Sequence, residues 1–235
     1  MKIKWLGHAS FMITSETGTK IITDPYITTE NFNYGEIKES ADIVTVSHEH
    51  GDHNYVDGIR LSNPKVQVVK DTTRWILPEA ILEPYSTSRG KEEIGGMSFN
   101  AISTYHDNTG GSQGGENTVF YFEVDGVRVC HLGDLGHQLS AQQVAELGKV
   151  DILLIPVGGF YTIDARVATE VCSQLKPRVI IPMHYKTDKC GFPIAGVDEF
   201  LKGKEGVSKL DTSEVEFKQG ELPASTQIIV LKSAL

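Results

Sequence analysis

Three cysteines in 235 residues are too few, and too scattered, for a disulfide framework. Cys130, Cys172 and Cys190 are odd in number and form no CxxC pair, which also excludes a thiolate zinc site and predicts reduced thiols. Long apolar runs are missing as well. No stretch approaches the ~20 residues needed to cross a bilayer, so no membrane partner is expected. The opening residues, Met1-Lys2-Ile3-Lys4-Trp5, begin a strand at once and lack the apolar core and small-residue cleavage site of a signal peptide, which points to a cytoplasmic location. Positive charge is scarce: 22 Lys and Arg stand against 31 Asp and Glu, a net charge of −9. That balance disfavours nucleic acid as a partner, because phosphate binding draws on clustered cations. No linker or low-complexity segment interrupts the chain, and its length suits one domain spanning 1–235.

Histidine, by contrast, is concentrated where apolar runs end. His48-Glu49-His50-Gly51-Asp52-His53 directly follows Ile43-Val44-Thr45-Val46-Ser47. A strand of that kind delivers its last residues to the rim of a sheet, and the glycine lets the loop double back so that three imidazoles and a carboxylate converge. Imidazole nitrogen and carboxylate oxygen suit zinc and its borderline-hard neighbours. Without a cation, four such groups packed together would leave buried donors and acceptors without partners.

The rest of the chain reads as short strands alternating with helices, an α/β pattern. Strands are expected at Lys2–Leu6, Ala9–Thr14 and Lys20–Thr23, then at Val66–Val69, with a helix from Asn54 to Arg60 between. Residues 71–96 read as loop-rich and peripheral, Trp75 to Leu82 carrying a helix-like spacing broken by Pro78. A strand over Met97–Thr104 ends at Tyr105-His106-Asp107 and opens a glycine-rich run that lacks the Lys-Ser/Thr of a P-loop. Asp125-Gly126 marks a hairpin between Thr118–Val124 and Val127–His131. Helices are expected over Ser140–Leu147, with Ser140 as N-cap, and over Asp164–Leu175. Asp151–Val157 and Arg178–Pro182 are apolar enough for strands buried on both faces. Val197–Leu201 reads as a helix and Gln227–Leu231 as a closing strand.

His-x-His-x-Asp-His resembles the signature of the metallo-β-lactamase fold superfamily. The resemblance runs from Gly7 to His184 and implies a four-layer αβ/βα sandwich carrying two divalent metal ions, zinc first, with manganese or iron also compatible. It assigns His48 and His50 to one metal and Asp52 and His53 to the other, leaving Glu49 as a non-ligand. It further implies His106 as the third ligand of the first metal, Asp134 in Leu132-Gly133-Asp134 as a bridging carboxylate, and His184 in Pro182-Met183-His184-Tyr185 as the last ligand of the second. A branch that includes ascorbate-phosphate lactonases and many metal-dependent hydrolases has a similar Gly-His-Ala and Asp-Pro near its metals, here His8 and Asp24. That branch often carries an arginine where Gln113 stands. A di-iron redox branch has glutamate where this chain has His50.

The reading is a metal-dependent hydrolase acting on a small-molecule lactone, ester or phosphoester. Two cations ~3.5–4 Å apart can lower the pKa of a shared water toward 7 and polarise the bond under attack. Asp52 orients the nucleophile, Asp134 bridges, and His137 is a candidate proton donor or substrate contact. Further substrate candidates are His8, Asp24, Tyr161, Thr162 and Lys186, the last to hold a carboxylate or phosphate, with a solvated surface lysine as the plain alternative. His131 is expected in the core or behind the ligands. Replacement of His8 or His137 is expected to leave both metals in place. The alternatives are a non-catalytic or di-iron redox protein of the same fold, or a nuclease. Homo-oligomer formation stays open.

Overall fold

Short apolar runs separated by glycine- and aspartate-bearing turns build two sheets and their covering helices. The computed structural model describes residues 1–62, 66–70, 75–76, 92–94 and 97–235. In chain order the first elements are β1 (Lys2–Gly7), β2 (Ser10–Thr14), β3 (Lys20–Thr23), β4 (Ile43–Thr45), α1 (Val56–Ser62), β5 (Gln67–Val69), β6 (Trp75–Ile76), β7 (Glu92–Ile94), β8 (Met97–Tyr105) and β9 (Glu116–Val124). They are followed by β10 (Val127–His131), α2 (Ala141–Leu147), β11 (Ile152–Pro156), α3 (Ala165–Leu175), β12 (Val179–Met183), α4 (Val197–Leu201), β13 (Val207–Lys209), β14 (Glu214–Glu216) and β15 (Gln227–Val230). Among the described residues the strands pair as β14-β1-β2-β3-β4-β5-β6 in one sheet and β13-β15-β12-β11-β10-β9-β8-β7 in the other.

Period-two alternation divides the first sheet between two cores. Ile3, Trp5, Ile21, Ile43 and Val69 face the second sheet and share one core with its Phe120, Phe122, Val129 and Leu154. Their sequence neighbours Leu6, Ile22, Val44 and Val68 face outward onto Val56 and Ile59 of α1 and onto Tyr26, Phe32 and Tyr34. The second sheet is equally enclosed: β11 and β12 are buried at every position and pair in parallel, as expected for strands covered on both faces. Ala168, Val171 and Leu175 form the stripe of α3 that covers them. Asp164 caps α3 through Val167 N–H at 2.8 Å, and Ser140 with Gln143 forms a capping box on α2. Helix, sheet, sheet and helix make an αβ/βα sandwich.

Strand direction explains why the chemistry collects at one edge. β1 and β2, then β2 and β3, are antiparallel, and β3 and β4 are parallel, so β1, β3 and β4 all end on the same side. In the other sheet β8 and β9, then β9 and β10, are antiparallel, while β10, β11 and β12 are parallel, so β8, β10 and β12 share an end too. Hydrogen bonds from His184 N–H to His8 O (3.2 Å) and from Thr118 N–H to Ser47 O (2.8 Å) join the two sheets at that edge.

Some sequence expectations need correction. Trp75–Ile76 is a strand antiparallel to β5 and not the start of a helix, a case of tertiary pairing overriding a weak helical spacing. The rest of the Trp75–Leu82 reading, and most of 71–96, lies outside the described residues. The helix expected from Asn54 begins at Val56. β13 and β14 carry no apolar run that would have flagged them. No helix among the described residues is long and apolar enough to cross a membrane.

Candidate metal centre

Three of the strand ends leave their sheets through a left-handed residue that is not glycine: His8 (φ 51°), Asp24 (φ 39°) and His184 (φ 49°). Such conformations cost on the order of 1–3 kcal/mol each and persist where surrounding structure imposes them. Here they turn three polar side chains inward. Gly133, with φ 55°, makes the corresponding turn after β10, and any side chain there would collide with Asn117 and Ser47.

The Asp134 carboxylate is the point of convergence. Its Oδ2 lies 3.0 Å from His106 Nε2, 3.2 Å from His184 Nε2, 3.3 Å from His53 Nε2 and 3.9 Å from His48 Nε2. Asn117 holds it in place, accepting from Asp134 N–H at 2.9 Å while its own amide donates to Thr104 Oγ1 and Leu132 O. Burial opposes the charge on Asp134, but His184 and His53 nearby, with hydrogen bonds from His106 and His184, hold its carboxyl well below the usual range. His106 directly follows β8 and is fixed by its N–H to Gly115 O at 3.0 Å. Asp107 knits the glycine-rich loop that follows, accepting from the N–H groups of Thr109, Gly111, Gln113 and Gly114.

Asp24 acts behind the signature and reaches both of its ends. It accepts from Ser47 N–H (2.8 Å), from Ser47 Oγ (2.6 Å) and from His53 Nδ1 (2.8 Å). Since the single Ser47 hydroxyl hydrogen goes to Asp24, Ser47 Oγ accepts from His48 Nδ1–H at 2.9 Å. In the neutral form that a metal ligand requires, His48 and His53 would both carry the proton on Nδ1 and turn a bare Nε2 toward Asp134, the arrangement in which a carboxylate orients metal-ligating imidazoles. Burial pushes the Asp24 carboxyl up, yet His131 and His53 outweigh it and keep it below the usual range. Burial and His53 push His48 down to about 3. His53 goes the other way: burial lowers it, but the Asp134 and Asp52 charges raise it well above the ordinary imidazole range.

Two further groups of donors flank Asp134. His48, His50 and His106 form one, and His8, Asp52, His53 and His184 the other; within each, one donor atom per residue lies within 4.8 Å of all the rest. Donors around one zinc at bonds of about 2.0–2.2 Å must sit roughly 3–4 Å apart, so the spacings around Asp134 match a cation's shell. Buried atoms left without hydrogen bonds concentrate here too: both ring nitrogens of His8, Nε2 of His48 and of His53, Nδ1 of His184 and Oδ1 of Asp134. Orphaned buried polar atoms are costly, and cations would satisfy the bare nitrogens and the carboxylate together. The residues present fit divalent metal.

Of the residues singled out from sequence, His48, His50, Asp52, His53, His106, Asp134, His184 and His8 come together, with Asp24 directly behind them. His137 does not join them. Its Nε2 accepts from Tyr105 N–H (3.1 Å) and its Nδ1–H donates to Gln138 O (2.8 Å), so both nitrogens serve the backbone. Lys186 donates Nζ–H to Phe192 O at 2.8 Å, and Thr162 Oγ1 donates to Ile163 O at 3.3 Å. Tyr161 is exposed, packed edge-on to Phe160 and Phe192. Glu49 points away from the centre to Lys70 (2.8 Å) and Asn54 (2.9 Å). His131 is fully buried, donating Nε2–H to Ala9 O (2.8 Å) and accepting from Gly133 N–H (3.1 Å). Ser47, Asn117 and Asp107 were missed from sequence; Ser47 and Asp107 adjoin a predicted ligand, while Asn117 carries no signal before its strand pairing is known.

Residues 2–184 match the family described as the beta-lactamase superfamily domain. The chain belongs to that superfamily. A UPF0173 metal-dependent hydrolase of Archaeoglobus fulgidus is 32% identical over 233 residues, covering 94% of this chain and 97% of the relative, and one of Pyrococcus horikoshii is 32% identical over 80% of this chain and 85% of its own length. A crystal structure from Thermotoga maritima, described as a candidate zinc-dependent hydrolase of the metallo-beta-lactamase superfamily, superimposes with TM-score 0.70 at 36% identity, covering 98% of this chain and 97% of that one. Metal-dependent hydrolase is the class these relationships give the chain, and its sandwich is the fold of that superfamily.

Proposed function

We propose that the centre holds two divalent cations and hydrolyses a small-molecule lactone, ester or phosphoester. His48, His50 and His106 would hold one ion, Asp52, His53 and His184 the other, with Asp134 between them. The observation that carries this reading is the position of Asp134 Oδ2 within 3.0–3.9 Å of His106 and His48 on one side and of His184 and His53 on the other. Imidazole and carboxylate donors suit zinc first and also manganese or iron. Cations bound there supply Lewis acidity and activate water for attack at neutral pH.

The chain's own residues supply orientation and access. Asp52 is partly exposed, and although burial opposes its charge, His53 and His8 keep its carboxylate ionised, ready to orient an attacking water and take its proton. Asp24 fixes His53 directly, and His48 through Ser47, from behind. Substrate approaches from the His50 side, which is exposed, as are Ile27, whose N–H donates to Gly51 O, Tyr55, two residues past His53, and Tyr105, next to His106. These exposed apolar side chains beside the ligands, with the Lys186 ammonium given to Phe192 O, favour an apolar ester or lactone over a phosphoester. The test is a panel of activated esters, lactones and phosphodiesters assayed with zinc, manganese and iron forms. Turnover of esters or lactones that tracks metal loading supports the proposal; no turnover of any class in any metal form contradicts it.

A further inference from the structure

His8 is the one imidazole in the cluster that the two-metal assignment leaves without a task, and its surroundings do not suit a substrate contact. The ring is completely buried. Phe32 stands edge-on to it at 4.8 Å between centroids, Phe192 likewise at 5.9 Å, and Tyr34 lies at 6.4 Å, so an aromatic cover separates it from solvent. A neutral imidazole carries one donor and one acceptor, and here neither ring nitrogen has a hydrogen-bond partner. An apolar box around an unsatisfied imidazole is expensive unless something inside the box satisfies it.

What lies inside is the buried group of donors. His8 Nε2 is 3.4 Å from Asp52 Oδ2, the His8 ring is 3.9 Å from the His184 ring and 5.5 Å from the His53 ring, and the nearest donor atoms of all four residues fall within 4.8 Å of one another. At 3.4 Å the pair has the spacing of two ligands on one ion, for which bonds of about 2.0–2.2 Å are usual. The backbone is built to hold the ring there. His8 sits at φ 51°, its carbonyl accepts from Trp5 Nε1–H at 3.0 Å and from His184 N–H at 3.2 Å, and the second of these bonds ties His8 to another member of the group.

We infer that His8 is a direct ligand of the metal held by Asp52, His53 and His184, giving that ion one more protein donor than the two-metal reading alone assigns. The inference rests on that reading. It makes that half of the centre the more enclosed one, with Asp52 as its one partly exposed donor, and leaves the ion beside His50 as the one with more room for substrate.

The test is metal titration of the wild type, His8→Phe and His8→Gln, by competition with a chromophoric chelator, together with the visible spectrum of each cobalt-loaded protein. Phenylalanine fills the aromatic box without a donor, and glutamine keeps a polar group that can reach Asp52, so the pair guards against simple misfolding. The expected result is two equivalents in the wild type, a loss of about a hundredfold or more in the affinity of one equivalent in both variants, and an altered cobalt spectrum. A residue acting only behind the ligands costs on the order of 10–100-fold and leaves the coordination spectrum as it was. That weaker loss with an unchanged spectrum, or wild-type affinity for two equivalents in both variants, overturns the His8 assignment alone. Saturation of the wild type at one equivalent overturns the two-metal reading and this inference with it.

Discussion

The two halves of the centre differ in how they meet solvent. His8, His53 and His184 are 0–1% exposed, whereas His48 and His106 are 8% and 7% exposed and His50 is open. The closed half lies beneath Phe32, Phe192 and Tyr34, and the open half is bordered by His50 and the glycine-rich loop after His106. On the two-metal proposal the difference implies a division of labour: the covered half would anchor its ion, and the open half would exchange ligands with substrate. Asp134 and Asp24 are the residues common to both, the first between the halves and the second behind them.

The largest expected effect comes from removing what the halves share. Asp134→Ala leaves two cations facing each other without an anion between them, so one metal equivalent is lost and hydrolysis falls to background, measured by elemental analysis and by rate. Retention of both metals and full activity would remove the bridge from the account. Asp24→Ala should rank next. It strips the orienting partner from His53 and, through Ser47, from His48, so both halves should weaken, by about 10–100-fold in metal affinity. It also leaves buried partners unpaired, with a stability loss of roughly 3–5 kcal/mol if the His53 pair behaves as a buried ion pair. Denaturant unfolding and chelator competition separate these effects; weakening confined to one half would show that the Ser47 link is idle.

A narrower comparison sets His106 against His131, both near Asp134. His106→Ala should weaken the open half's metal far more than His131→Ala does. His131→Ala instead leaves Gly133 N–H unsatisfied and Ala9 O with Thr23 Oγ1–H as its remaining donor, a cost of about 1–3 kcal/mol in stability with both metals retained. The reverse order would mean that the strand end supplying the ligand is misassigned. The smallest effect is expected of His137→Ala, whose ring serves only Tyr105 and Gln138: about 1 kcal/mol of stability and an unchanged rate. A drop in turnover at constant metal content would return His137 to the chemistry.

How much of this was legible in the sequence follows from what each feature depends on. The signature at 48–53, and the histidines or aspartates closing apolar runs at His8, Asp24, His106, Asp134 and His184, are local, because a strand's C-terminal end is a place the sequence marks. Their meeting at one edge depends on strand direction across two sheets, which periodicity does not carry. The fold was legible through the resemblance, and its inner strands through unbroken apolar runs such as Ile152–Pro156. The short polar strands β13 and β14 were not, since their pairing partners lie far along the chain. Side-chain roles were least legible. His137 and His131 look alike in sequence, and only backbone hydrogen bonds separate them from His106; Lys186 reads equally as an anion holder or a surface lysine, and its ammonium meets Phe192 O.

The central claim is that two sets of donors share one carboxylate. Titration of the metal-free protein with zinc or manganese, followed to saturation by calorimetry and checked by elemental analysis, tests it most directly. The account predicts two equivalents per chain, with a tighter step for the closed half and a weaker one for the open half. Saturation at a single equivalent with excess metal present would contradict it.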